Sequence, residues 1–248
     1  MFDWSSNYKG VDASSFDLLR RISKRLNQRK KLFRFVEKFI PLNDKNNRKI
    51  LEVACGMGIE ANLLSVLGYE VYGIDREQES IAYASRVKSL LRTDMEIMNG
   101  DAYKLDFPGS SFNFVYSQGF LEHFSDSEVV KLIVEQIRVL KPGGYILIDV
   151  PNKMSSYNLY KRIIKIIHGE WFFGFERSFS YKMICDYVYA ANPDVKVAGR
   201  YGWSFYGYPV KKWYDYFVML PLLVLRQTAW FFDRGQDSVG VYFRLPNK

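Results

Sequence analysis

Three acidic residues, Glu52, Asp75 and Asp101, stand at the ends of three successive strand-like segments. The first stands at the strand's end, just before the turn, in the run Ile50-Leu51-Glu52-Val53-Ala54-Cys55-Gly56-Met57-Gly58, in which a buried apolar stretch enters two glycines and then a helix-like segment. Glycines at 56 and 58 let the backbone take positive φ and approach a ligand closely. A helix opening there aims free N–H groups and its positive dipole end at the same point. A carboxylate at Glu52 can orient the turn and face a cationic amino-acid group. Asp75 lies about as far beyond the glycines as an acid that takes ribose hydroxyls; it can equally cap the helix expected near Glu77. At Gly100-Asp101-Ala102 a polar side chain and backbone can meet an adenine edge. Two glycines after a strand are unspecific alone, and Gly56-Met57-Gly58-Ile59-Glu60-Ala61 also fits the looser dinucleotide fingerprint.

Proton-transfer chemistry has two candidates, because the chain has only two histidines. His123 follows the fourth strand on the ligand side and titrates near neutrality, so it is the candidate general base. His168 lies beyond the fifth strand, beside Trp171 and Phe172. Tyr157 and Lys161 have the spacing of a short-chain dehydrogenase pair. The serine such a pair needs is missing, with Gly144 in its place, so the match reads as chance. Glu176-Arg177-Ser178-Phe179-Ser180 reads as a helix start or a site-closing segment. Cys55 reads as a small packed residue rather than a nucleophile. No metal-ligand spacing occurs.

These residues need a framework of alternating strands and helices. Lys49–Ala54, Glu70–Ile74, Met95–Met98, Phe112–Tyr116 and Tyr145–Val150 read as strands. Helices are expected to Leu67, over Glu77–Leu91 and over Ser127–Leu140, the last capped by Ser125 or Ser127. Pro142-Gly143-Gly144 reads as a turn before the fifth strand. Such alternation demands a parallel sheet with right-handed crossovers. Ahead of it, residues 18–36 read as one amphipathic helix rich in arginine and lysine. Beyond it, Ser155–Ile167 and Tyr181–Ala190 look helical and Val195–Tyr201 and Val239–Leu245 look like strands. Between these last two lies the aromatic stretch Trp203–Phe232. Its longest uncharged run, Tyr216–Leu225, is about half the ~20 residues of a bilayer span, and Pro221 interrupts it. That stretch reads as a lid, a homodimer contact or an interfacial helix in peripheral contact with a membrane.

Bulk composition narrows the setting. Apolar residues are 48% of the 248, enough for a core and against global disorder. Two distant cysteines argue against a disulfide framework or a zinc site and favour a reducing, cytoplasmic compartment. The N-terminus has no apolar segment of signal-peptide type. The net charge of +8 suits an acidic partner such as a phosphorylated substrate, a nucleic acid or an anionic membrane, and equally a solvated surface.

Taken together, the motifs resemble those of the class I S-adenosylmethionine methyltransferases, in the branch of small-molecule and quinone methylases. The resemblance covers residues 48–152. Leu51–Gly58 is similar to the family's first motif, with Ala54 where many members have glycine. Tyr72-Gly73-Ile74-Asp75 is similar to the ribose motif and Gly100-Asp101-Ala102 to the adenine motif. Phe114–His123 resembles the segment after the fourth strand, and Leu140-Lys141-Pro142-Gly143-Gly144 the turn into the fifth. The resemblance implies an α/β fold: a doubly wound, mostly parallel seven-stranded sheet with a C-terminal antiparallel hairpin, plus an N-terminal helix and an aromatic insertion at 203–232. It implies a single domain over 1–248, with a helical cap at 1–47, a cofactor core at 48–152 and acceptor-side elements at 153–248. It implies S-adenosyl-L-methionine held by Glu52, Ala54, Gly56, Gly58, Asp75, Arg76, Gly100, Asp101, Ala102, Ser117 and Gln118. The expected activity is in-line methyl transfer to a small-molecule or lipid-like acceptor, for which the basic helix favours an anionic one. The alternatives are an NAD-dependent oxidoreductase, which would lack a catalytic pair, and a non-catalytic S-adenosylmethionine-binding protein. Nothing ties a nucleic-acid base to the site.

Overall fold

A computed structural model describes residues 14–44, 48–204, 210, 212–229 and 236–247. Strands β1 (Lys49–Val53), β2 (Glu70–Asp75), β3 (Glu96–Asn99), β4 (Phe112–Gln118), β5 (Leu140–Pro151), β6 (Lys196–Tyr201) and β7 (Ser238–Arg244) form one seven-stranded sheet in the order β3-β2-β1-β4-β5-β7-β6. The first five pair in parallel. β7 lies antiparallel between β5 and β6 and makes the expected hairpin. The helices that the sequence places between strands are α3 (Ile59–Val66), α4 (Gln78–Leu91) and α5 (Asp126–Arg138). Ser125 caps α5 in a capping box with Glu128.

Both faces of the central strands are covered, so these strands are mostly buried; all but the last residue of β4 are buried. Leu51, Val53, Val115, Ile146 and Ile148 pack beneath α5 and α7 (Tyr181–Ala191). Ile50, Phe114, Tyr116 and Leu147 pack on the opposite face with α3, α4 and the N-terminal helices. A third, separate cluster joins Tyr157, Tyr160 and Ile164 of α6 (Ser156–His168) to Trp171 and to Met219 and Leu222 of α8 (Asp215–Ala229). Within the 203–232 stretch, α8 adds no strand, while residues 205–209, 211 and 230–232 lie outside the described residues.

Two expectations are corrected. The single helix over 18–36 is two, α1 (Ser15–Gln28) and α2 (Lys30–Phe39), broken at Arg29 with φ −100° and ψ 12°. The break turns the Arg29 side chain inward, where its Nε donates to Glu60 Oε1 at 3.1 Å and a terminal nitrogen donates to Asp149 Oδ2 at 2.9 Å. Pro142-Gly143-Gly144 is not a turn ahead of the fifth strand but part of β5, which starts at Leu140. The pairing with β4 shifts register there, between Phe112 and Phe114. A Cβ on Gly144 would lie 2.9 Å from the Asn113 and Lys141 carbonyl oxygens, so the backbones approach too closely for a side chain.

The Arg29 junction fixes the N-terminal helices to the sheet. Asp149 also accepts from Tyr201 Oη at 2.7 Å and Trp203 Nε1 at 2.9 Å, and the guanidinium stacks 3.8 Å from the Trp203 ring centre. Arg25 adds a second, more exposed bond to Glu60 at 3.2 Å. Arg29→Met would leave Asp149 buried without its cation, and Glu60 with Arg25 alone, and should cost about 3–5 kcal/mol in urea unfolding. Arg25→Met should cost under about 1 kcal/mol, since Arg29 still pairs with Glu60. Equal losses in the two variants would contradict this reading.

Candidate functional site

The strand order reverses beside β1, and a cavity of about 1100 Å³ opens at the C-terminal ends of β1, β2, β4 and β5. That is just above the roughly 300–1,000 Å³ typical of a single small-ligand site. One end is made by the turn after β1. Ala54, Gly56 and Gly58 all have positive φ, 58°, 52° and 59°. For Ala54 this left-handed backbone costs on the order of 1–2 kcal/mol, where glycine would be unstrained. Asp75 stiffens the same turn: its Oδ2 accepts from the Gly56 N–H at 2.8 Å, and its Oδ1 accepts from Glu77 N–H at 3.0 Å. The carboxylate therefore does cap the next segment, and it also faces the cavity. Burial raises its pKa, against the pull of those N–H bonds.

Most of the expected site residues meet here. Glu52, Ala54, Gly56, Asp75, Arg76, Gly100, Asp101, Ala102, Gln118 and His123 all line the cavity. Two do not. Gly58 begins α3 and packs against α4, where a Cβ would sit 2.8 Å from that of Ala84. Ser117 is buried in β4 off the cavity wall. Arg76 spends its guanidinium on Glu77 at 2.9 Å. Asp101 folds back to accept from the Tyr103 N–H at 2.9 Å. Glu52 is buried with Oε2 lacking a hydrogen-bond partner, and burial, then the charge of Glu60, pushes its carboxyl well above the usual range. Both amide atoms of Gln118 are likewise buried and unpartnered. On a cavity wall, such atoms are open to completion by a ligand or by water. Cys55 behaves as a packed thiol, its pKa pushed up by burial and then by Glu52 and Asp75.

The other end of the cavity is built by parts that left weaker traces in the sequence. His123 Nδ1 lies 2.8 Å from the Phe175 carbonyl oxygen. A carbonyl only accepts, so Nδ1 carries the proton and Nε2 is the basic nitrogen. Burial lowers the His123 pKa, keeping the ring neutral at neutral pH. His168 is elsewhere: its Nε2 meets Asp215 Oδ1 at 2.8 Å, joining α6 to α8. Tyr157 and Lys161, set aside in the sequence as coincidence, are placed with Glu176 beside the cavity. Lys161 Nζ donates to Glu176 Oε1 at 3.0 Å and to Ser178 Oγ at 2.9 Å, and Trp171 Nε1 donates to Glu176 Oε2 at 2.9 Å. Tyr157 Oη donates to Glu176 Oε1 at 3.3 Å, and burial pushes its pKa far up, so it stays a phenol. Tyr157, Phe173, Phe175 and Trp203 give this end an aromatic wall. Arg25, Arg29, Glu60, Glu122 and Asp149 also reach the cavity without having been singled out for it. Among the described residues no group of three His, Cys, Asp or Glu side chains is placed to hold a metal ion.

Residues 51–148 match the family model described as a methyltransferase domain. A probable S-adenosylmethionine-dependent methyltransferase of Mycolicibacterium smegmatis is 30% identical over 108 residues, 44% of this chain and 40% of that protein. A ubiquinone biosynthesis O-methyltransferase of Thiobacillus denitrificans is 31% identical over 125 residues, 50% of this chain and 51% of the relative. The chain thus spans about half or less of these relatives' length. The crystal structure of magnesium protoporphyrin IX methyltransferase from Synechocystis, with bound SAH, superposes with a TM-score of 0.62 over 98% of this chain and 100% of its own. At 15% identity that likeness shows the fold. The Mycolicibacterium relative is named for S-adenosylmethionine dependence and the Synechocystis structure holds SAH; in this chain the unpartnered Glu52 oxygen lies on the cavity wall beside the strained turn.

Glu122 gives the site a measurable electrostatic signature. It is buried with Oε2 unpartnered, and burial, then the charge of Glu176, raises its pKa well above 4.5. The folded protein keeps this proton where the unfolded chain releases it. The associated stability is fully present below pH 4.5 and is lost as pH rises toward the folded pKa, by up to about 1.4 kcal/mol per unit. Glu122→Gln should therefore gain stability on wild type as pH rises above 4.5. Urea unfolding at several pH values checks this; a constant difference would mean that Glu122 ionises normally.

Proposed function

We propose that this chain transfers the methyl group of S-adenosylmethionine to a small, amphiphilic acceptor of the phenol or lipid-precursor kind, and that the whole of 1–248 works as one catalytic unit. The observation that carries the reading is the continuity of the cavity. Its cofactor end and its aromatic, histidine-bearing end are one chamber of about 1100 Å³, large enough for a second small molecule beside the cofactor. The ubiquinone biosynthesis relative makes an aromatic oxygen acceptor the first to test.

In this proposal Asp75 accepts from the ribose hydroxyls, Glu52 takes the ammonium group and Gly100–Ala102 border the adenine. Gln118 supplies its amide to either ligand. The bound sulfonium cofactor supplies an activated methyl carbon. The protein's part is to hold the acceptor oxygen in line with that carbon and to exclude water. His123 Nε2 takes the proton of an acceptor hydroxyl, and the Phe175 carbonyl keeps the ring in the tautomer that can do so. Phe173, Phe175 and Trp203 bound a planar acceptor. Arg25, on the wall contributed by the N-terminal helices, attracts an anionic group on the acceptor.

Calorimetry should give about micromolar affinity for S-adenosylhomocysteine and no comparable affinity for NAD; the reverse preference would return the chain to the oxidoreductases. Asp75→Ala should weaken that binding by at least about tenfold, through lost charge-assisted bonds. A change below about threefold in a folded variant would leave Asp75 as a turn residue alone. With methyl-labelled cofactor and a panel of phenols and quinols, wild type should label an acceptor. His123→Gln should lower kcat by about 10²–10³ with cofactor affinity unchanged. The wild-type rate should fall only below the ordinary histidine value of 6.5, because burial lowers the His123 pKa.

A further inference from the structure

Helix α8 buries Met219 and Leu222 against α6. Its opposite side is apolar too. Trp213, Phe217, Leu220 and Val224 are 72%, 70%, 55% and 62% exposed; the helical spacing of Phe217, Leu220 and Val224 puts them on one stripe, and Trp213, in the turn just ahead of the helix, sets its ring 5.7 Å from that of Phe217. No charged residue occurs from Tyr216 to Val224. A helix apolar all round is expected in a protein core or in lipid, yet this stripe faces outward. At 15 residues α8 is about 22 Å long, short of the ~30 Å hydrocarbon core. No helix of the described residues is long and apolar enough to span a membrane.

The surroundings point to one kind of partner. The neighbouring α6 exposes Ile166 at 84%, with Arg162 and Lys165 exposed four and one residues before it. Lys212 is exposed just ahead of α8, beside Trp213. Among the described residues of 153–175 and 210–224, the exposed charges are Lys153, Arg162, Lys165 and Lys212 against Glu170 alone. An aromatic residue at the end of an apolar stripe with a basic margin suits the headgroup region of an anionic bilayer. A second copy would set the same basic margin, Arg162, Lys165 and Lys212, against itself across a two-fold contact. A second copy is therefore the weaker fit. The pairing of His168 with Asp215, and the Lys212 N–H bond to Asp215 Oδ2 at 2.9 Å, fix the start of α8 against the end of α6.

We propose that α8 and the outer side of α6 dock on an anionic lipid surface, with α8 lying in the headgroup plane. The other side of this platform is the acceptor end of the cavity. Tyr157 of α6 belongs both to the α6–α8 cluster and to the cavity lining, and Phe173 packs on that cluster while lining the cavity. Docking there sets the cavity's aromatic end beside the bilayer, where an amphiphilic acceptor partitions. This deepens the proposed function and rests on it only for what the bilayer delivers.

The full chain, mixed with phosphatidylglycerol vesicles, should sediment with them, and should do so at least about tenfold less with phosphatidylcholine vesicles. Phe217→Glu/Leu220→Glu should lower the phosphatidylglycerol binding by about tenfold or more. Its S-adenosylhomocysteine affinity, measured by calorimetry, should be unchanged. Lys165→Glu/Lys212→Glu should weaken binding and flatten its salt dependence. Wild type left in the supernatant would overturn the proposal. So would a folded glutamate variant that still sediments, or a wild-type dimer that this variant splits without any vesicle binding. Cofactor and vesicle binding are read without a methyl acceptor, so failure to dock leaves the methyltransferase reading intact, and the converse.

Discussion

A buried guanidinium holds the architecture together. Arg29 joins a helix break to α3 through Glu60 and to β5 through Asp149, residues 31 and 120 positions away. Removing such a charge from water is costly, and the cost is offset only when its donors are met in good geometry. Here two carboxylates meet the donors and Trp203 covers a face. For Glu60, burial works against the charge, but Arg25 and Arg29 outweigh it and hold the carboxyl below its usual range. The N-terminal helices thus sit over the cavity through polar bonds as well as apolar contact.

The rest of the site follows from where the sheet reverses. β2 and β4 lie on opposite sides of β1, so the helices that follow β1 and β4 diverge and leave a crevice. The turn after β1 lines that crevice only by adopting left-handed backbone three times, once at a residue with a Cβ. Asp75 holds the turn through the Gly56 N–H. One carboxylate thereby serves the loop that shapes the site and faces the ligand within it.

The sheet and the cofactor end were legible in the sequence because their signals are local. Apolar runs of strand length, glycines after a strand and strand-end acids each occupy a few adjacent residues. Asp75 and Glu52 lie where that logic places them. The α1–α2 break was not legible, because its cause is the distant pair Glu60 and Asp149, and within the basic run Arg29 resembles its neighbours. The start of β5 was misread because Pro142-Gly143-Gly144 has turn chemistry, while pairing with β4 draws it into the strand. Tyr157 and Lys161 were visible as a spacing, but their meaning depends on Glu176, which a loop brings to them. Ser117 belongs to a segment that does reach the cavity, and strand alternation turns it away while Gln118 lines it.

The two borders of the sheet have a further consequence. β3 is only four residues long. β6 carries Lys196 and Arg200 and shifts register between Val197 and Gly199. Short length, outward cations and a bulge are the features that keep an open edge from recruiting another chain's backbone. Neither border offers a long, flat template, so the fold resists growth by strand addition and the fibrous aggregation that such growth begins.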